Sequence, residues 1–467
     1  MHRTSPVRDA VLSVVAFILL SVWISGADVG TLVVGKEPAA MQEARAAFEQ
    51  KQYERTLALL DRLGQESVLP ADGMRLKSRA FLKLGKPKDS LREYDQLEQT
   101  IKQDDGVLLK EVSFGFVVTL TKDMREQMRG ASYTALKDLE SAEAVPYLED
   151  GLSDGSGLVR ALVVEGLGKT DQGRRSPKLR KAIDDQAGLV KAAVLKVLGR
   201  SRDRSVLPLL EKALNEDQPL VRLAASGALY HMGRIDMWDQ VRKAATVVHP
   251  EERATALRLL GELKDPRALP VLVEAMKDPQ PSVRGAAVSA LGDLGDAHAV
   301  PQLEEALQDT IPAVRTSAAI SLGELGHRTA SPALRRALSD TNPVVQAAVV
   351  SALLRLEEPI EVVMPSIGGL THHNDPGTRS AIAKALGRAH GENRESAVAV
   401  LSELLGDPIP RPRIAAARSL GQIGGNDLIP VLKRALHDED DAVRATAGGA
   451  LDRLLTATSR ATHTSRI

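Results

Sequence analysis

Cysteine is absent from the 467 residues. That excludes disulfides, thiolate metal sites, a cysteine nucleophile and a lipid anchor built on cysteine. Aromatic residues make up 3% of the chain and are unevenly placed. Phe48, Tyr53, Phe81, Tyr94, Phe114, Phe116, Tyr133 and Tyr147 lie early; past residue 150 only Tyr230 and Trp238 follow. A core that turns from aromatic to Leu, Val and Ala implies two kinds of packing unit. An excess of charge is also missing, with 61 basic residues against 61 acidic ones. No global field therefore recommends nucleic acid or an anionic membrane as partner.

Only one long apolar run is present. It extends from Ala10 to Ile24, behind a short polar start with His2, Arg3 and Arg8. That length suits the apolar part of an export signal and is short for a spanning helix. Ser25-Gly26-Ala27 supplies small residues for cleavage after Ala27. The expectation is a signal peptide over 1–27 and a periplasmic or secreted protein; an uncleaved membrane anchor is the alternative. Residues 28–37 read as a linker.

What the chain has in abundance is period. Arg160, Lys191, Arg222, Arg253, Arg284, Arg315, Gln346, Arg379, Arg413 and Arg444 occupy one place in a recurring helical pattern. Their numbers advance by 31 at each step through Gln346, then by 33, 34 and 31. Such steps mark stacked helical repeats, none of which can bury its apolar face alone. A chain of this length would ordinarily split into about three domains. A repeat array escapes that limit, because its core grows along one axis.

A different register precedes it. Phe48, Lys51, Tyr53, Leu57, Leu60 and Leu63 match Leu82, Gly85, Pro87, Leu91, Tyr94 and Leu97 at an offset of 34. The 38–103 segment resembles a pair of tetratricopeptide repeats, with Lys51 and Pro87 departing from that pattern. Residues 104–143 read as a hand-off and an atypical first unit, since Arg129 lies 31 before Arg160. The regular array runs over 144–456, and 457–467, rich in Ser and Thr, is expected to be a disordered tail.

One unit shows the logic. In 296–326 a first helix carries Val300, Leu303, Ala306 and Leu307, and a second carries Val314, Ala318, Ala319, Leu322 and Leu325. Asp309 to Pro312 separates them, and Gly326 ends the second as a left-handed cap. The array resembles HEAT-like repeats of the phycobilisome-lyase type. The expected fold is all-α, a right-handed α-solenoid of stacked helix pairs, with about ten or eleven repeats. In that family an Asp and an Arg form a ladder of hydrogen bonds linking neighbouring repeats. The resemblance assigns this structural role to Asp154 and Arg160, Asp278 and Arg284, Asp309 and Arg315, Asp407 and Arg413, and Asp438 and Arg444. In each pair the acid lies six residues before the arginine. Gln346 departs from the pattern, and Arg253 has Val247 at the acid position.

The motifs with chemistry in them are weak. Gly151 to Gly155 spells a hydrolase elbow but lies in an inter-helix turn, where no strand precedes it. Gly166 to Thr170 ends like a phosphate loop but lacks its first glycine, at Val163. His372-His373-Asn374-Asp375 offers two adjacent histidines, which rarely converge on one ion. Two residues are inserted in that repeat and three in the next, around Gly406 to Pro412; these read as loop irregularities. Some lyase-type relatives handle bilins, and another HEAT-repeat enzyme family binds two irons through His-Glu dipeptides. This chain has no His-Glu dipeptide. No catalytic residue, metal or cofactor is expected.

Charge on the second helices is more informative. Five and nine residues after each periodic Arg, side chains should leave the core. Over the last four repeats these positions include Arg355, Lys384, Arg388, Arg418 and Arg453, and no acid. In HEAT families the second helices line the concave face. The expected function is a non-enzymatic scaffold that binds a protein or peptide there, through an acidic segment. A lyase-type or cofactor-binding enzyme component, and a structural subunit of an envelope assembly, are the alternatives.

Overall fold

The computed structural model describes residues 39–201 and 203–464. The expected signal peptide and linker lie outside the described residues. Among the described residues there is no strand, and no helix is long and apolar enough to cross a membrane.

The chain forms two compact units, dividing after Val68. In the first, helices Ala39–Glu49 and Tyr53–Glu66 pair through Met41, Ala44 and Ala47 against Thr56, Leu60 and Leu63. Phe48 meets Tyr53 edge to face at 5.4 Å. The turn holds Lys51 at φ 60°, and Gly85, its counterpart in the next hairpin, holds φ 68°. The turn needs a left-handed residue, which glycine adopts freely and lysine at a cost. The 38–103 segment is thus not one packing unit. Its second hairpin, Ala71–Lys83 with Pro87–Ile101, belongs with the array and packs on helix Gly106–Thr119. Arg79 holds Glu111 at that junction at 2.7 Å.

From Glu126–Leu139 onward the unit is a first helix of five to twelve residues, a turn, and a second helix, longer than the first except where Ile360–Thr371 precedes Pro376–Leu386. Prolines sit in the first turn of most of these helices, where the missing N–H has no partner to lose. Second helices stack on each other as an inner layer. Gly261, Gly292, Gly323 and Gly421 allow this: a Cβ at any of them would meet a residue of the next second helix at 2.5 to 2.8 Å. A mid-helix glycine costs about 1 kcal/mol against alanine, offset here by close backbone approach. Gly326, at φ 72°, caps its helix as expected.

Two expectations need correction. The insertions do not loop out. They lengthen the first helices to twelve residues in Ile360–Thr371 and eleven in Arg394–Leu404, against seven in Val300–Ala306. Nor does a disordered tail begin at 457, because helix Asp441–Thr464 continues to Thr464.

That last helix changes the topology of the second unit. Beyond its neighbour Pro410–Ile423, it packs on Glu126–Leu139 and Gly106–Thr119, at the start of the array. The eleven second helices therefore follow one another in a closed cyclic order. A curved open stack leaves two terminal faces; this unit covers each with the other.

Candidate functional site

The ladder is built in the turns between first and second helices. Each arginine leaves the first turn of a second helix and folds back over the preceding turn. Arg315 donates through Nη1 to the backbone carbonyl of Asp309 at 2.8 Å. Its Nε and Nη2 take both oxygens of Asp340, at 2.6 and 2.8 Å. Asp340 also accepts the Asn342 N–H at 2.8 Å, which closes its own turn. The carboxylate partner is therefore the acid of the next repeat, and not the acid six before. The residue six before contributes only its carbonyl. Arg129–Asp154, Arg160–Asp185, Arg253–Asp278, Arg284–Asp309, Arg379–Asp407 and Arg413–Asp438 repeat the bridge. Lys191–Glu216 is a variant with a longer acid and a point charge. The arginine beside each acid holds Asp185, Asp309 and Asp340 below the usual carboxylate range. Val247 leaves the Arg253 rung intact, since that arginine uses the Val247 carbonyl and Asp278. Arg444, in the last described helix, bonds the Asp438 carbonyl and Asp441.

The histidine pair has a place in this scheme. His373 stands at an acid position, and its Nδ1 accepts the Asp375 N–H at 3.0 Å, as an aspartate would. The arginine it would have served is Gln346, which bonds only the Asp340 carbonyl, at 2.6 Å. This rung has lost both charges together. Among the described residues no group of three His, Asp or Glu side chains is placed to hold a metal.

The second helices form the concave side. Lys196 reaches Glu262 at 2.7 Å across the intervening helix Pro219–His231, where Gly227 is buried. Around this inner face one row reads Glu262, Asp293 and Glu324, then Arg355 and Arg388. Burial first, and then Glu262, push the Asp293 carboxyl up.

The five basic residues of the expected ridge divide into two groups. Arg418 and Arg453 belong to the closure. Arg418 lies 3.6 Å from Asp138 of the first repeat. The Arg453 guanidinium is pulled down by burial and opposed by Asp138 and Glu140. Arg355, Lys384 and Arg388 have no ion pair among the described residues. Burial, then Arg418 and Arg411, lower the Lys384 ammonium below its usual range. The irregular segments His372–Asp375 and Pro408–Pro412 lie at the turns between first and second helices, and Arg411 of the latter is near enough to act on Lys384.

The closure itself was not anticipated. Lys433 binds Glu98 and Asp104 at 2.6 and 2.8 Å, and His437 lies 3.5 Å from Asp95. Asp441 faces Arg125 at 3.4 Å and Lys88 at 3.7 Å. Gly448 and Gly449 sit against Ser113 and Ala135. The one sequence signal was the small-residue run Ala445 to Ala450, ordinary in itself.

Comparison with known proteins agrees with the geometry. The family model described as HEAT repeats matches residues 116–195, 176–247, 239–322, 301–368 and 363–452. The chain belongs to the HEAT-repeat family. No curated protein matches it. Solved structures similar to it include human deoxyhypusine hydroxylase, 22% identical over 54% of this chain and 98% of that one, TM-score 0.30. The CpcE–CpcF complex of phycocyanin lyase from Nostoc sp. is 23% identical over 46% and 94%, TM-score 0.36. A Kap121p mutant is 14% identical over 87% and 54%, TM-score 0.36. Likeness at this level carries no argument about activity.

Proposed function

We propose that this HEAT-repeat protein is a non-enzymatic interaction scaffold, exported from the cytoplasm, that takes an acidic segment of a protein partner on its inner face. The observation that carries this reading is the uncompensated group Arg355, Lys384 and Arg388. Elsewhere on the inner face Lys196 has Glu262, Lys169 has Glu140 and Arg418 has Asp138, while Arg258 is a single cation that bonds the Thr255 hydroxyl. A cation lowered by burial and by its cationic neighbours gains most from an incoming carboxylate. Single exposed contacts contribute at most about 1 kcal/mol, so several must act together.

A photo-crosslinking residue at Ser351, one turn before Arg355 on the same helix, captures the partner in cells. Its affinity is then measured for wild type, for Lys384→Glu with Arg388→Glu, and for a control, Lys212→Glu with Arg336→Glu on first helices. The reading expects the first pair alone to weaken binding and flatten its salt dependence. Equal affinity for all three ends it. Export rests on the apolar run Ala10–Ile24 and the small residues before Asp28. Intact mass of the mature protein should start at Asp28; a species retaining Met1–Ala27 in the membrane would replace secretion with anchoring.

A further inference from the structure

Two internal rungs of the ladder lack their acid, and they differ. Where His373 replaces the acid, the arginine is also gone, as Gln346. Where Val247 replaces it, Arg222 remains. Arg222 is held in the rung geometry: its Nη1 donates to the carbonyls of Glu216 at 2.9 Å and Asp217 at 2.7 Å. Among the described residues its Nε and Nη2 have no carboxylate. The edge that grips an aspartate elsewhere on the ladder is here fixed in place and open.

The surroundings mix exposed aliphatic side chains with polar ones. Leu158, Leu189 and Leu220 occupy the same first-turn position in three consecutive second helices and are 67%, 43% and 38% exposed. Val248, next to the missing acid, is 86% exposed. A groove of about 860 Å³ opens beside Leu220, with Pro219, Leu223 and Pro250 as its other apolar residues and Gln218, His249, Glu251, Glu252, Thr255 and Ser282 as its polar ones. Leucine in this row gives way to Glu251, Ser282 and Ala313 in the repeats that follow.

We propose that this edge is a second docking surface, which binds a peptide segment carrying one aspartate or glutamate among aliphatic side chains. The carboxylate completes the Arg222 fork, and the aliphatic groups cover Leu220 and its neighbours. A planar guanidinium already fixed by two carbonyls accepts a bidentate carboxylate with little further ordering. Charge selects the segment. Glu216 is neutralised by Lys191, but Glu251 and Glu252 stand across the groove and Asp217 in the turn. They repel a run of acids, so a single carboxylate in an apolar context fits, unlike the acidic segment proposed for the inner ridge.

The probe is a fluorescent, end-blocked peptide copying residues 338–346, Leu-Ser-Asp-Thr-Asn-Pro-Val-Val-Gln. It carries the one acid that fills the Arg315 rung. Intact rungs already hold a tethered acid at high effective concentration and resist it. Anisotropy is measured with the full chain. Saturable binding is expected, about tenfold weaker when the peptide Asp is Asn and about tenfold weaker for Arg222→Gln. Arg222→Gln copies the solution at Gln346, so the array keeps its turn. Val247→Asp supplies an internal acid and should abolish binding without lowering the melting temperature. Sedimentation of the chain alone should be unchanged by Arg222→Gln. No saturable binding, equal binding by Arg222→Gln or Val247→Asp, or self-association that depends on Arg222 would each overturn the proposal.

Discussion

At the scale of residues, one arginine per repeat makes three connections. Arg315 satisfies a turn carbonyl of its own repeat and clamps the acid of the next, with its side chain 14% exposed and that of Asp340 8%. Arg315→Ala removes the guanidinium from that carbonyl and leaves Asp340 only the Asn342 N–H. The cost of stranding such groups is about 1.5–3 kcal/mol. Arg328, exposed and paired only with Glu357, should cost under about 1 kcal/mol when changed to alanine. Urea midpoints of the two variants compare them; equal shifts would reduce the ladder to surface decoration. The sequence showed which residues form the ladder but misread the pairing. With a period of 31, an acid six before one arginine is also 25 after the previous one, so spacing alone cannot choose. The guanidinium chooses by geometry, since its stem leaves the helix toward the next turn.

Asp452 is a residue whose charge the fold tolerates poorly. It is 3% exposed, one of its oxygens has no hydrogen-bond partner, and burial pushes its carboxyl up to about 6. Lys110 lowers it and Glu143 raises it, from the facing segments. The unfolded value is about 3.9. Between about pH 4 and 6 the native state therefore holds a proton that the unfolded chain has lost, and stability falls as pH rises. Above that window the whole penalty is present. Asp452→Asn should be more stable than wild type at pH 7.5 by up to about 2–3 kcal/mol, with the gain gone near pH 4. Denaturant unfolding at the two pH values reads this directly. A constant offset between wild type and variant would mean the carboxyl titrates normally.

At the scale of elements, helix boundaries followed the prolines and the left-handed caps, and these were legible. The final helix was not. Its segment Ala445 to Ala450 carries two adjacent glycines, a poor choice for a helix interior unless a neighbour comes close. The neighbours are Ser113 and Ala135, at the far end of the array in sequence, and periodicity carries no record of them. Gly448→Val places a Cβ 2.5 Å from the Ser113 backbone oxygen, so the helix must move. Gly64→Ala, with nothing within 4 Å, serves as the contrast and should gain up to about 1 kcal/mol. Hydrogen exchange in 106–119 and 126–139 should rise in Gly448→Val while 281–325 stays protected. Uniform loss of protection would mean a global rather than a seam defect.

At the scale of the whole molecule, closure alters how stability is shared within the unit from Leu69 onward. In an open repeat array each terminal repeat has one neighbour, and removing it deletes one interface. Here helix Asp441–Thr464 contacts Pro410–Ile423 on one side and two helices at the start of the array on the other. Its loss deletes two interfaces and uncovers apolar side chains, among them Phe116, 4% exposed in the closed form and beside Gly448. A chain ending at Leu436 should therefore lose protection against exchange at 106–139 as well as at 410–423. It should also bind a hydrophobic dye that the full chain ignores. The middle helices, 281–355, keep their neighbours and should keep their protection. Because the seam also carries Lys433, His437, Asp441 and Arg418 against acids and bases of the first repeats, high salt should weaken it more than the interior junctions, whose charges sit in half-buried rungs. If truncation leaves 106–139 as protected as before, the last helix does not close the array, and the inner ridge would then belong to an open superhelix whose two ends act independently.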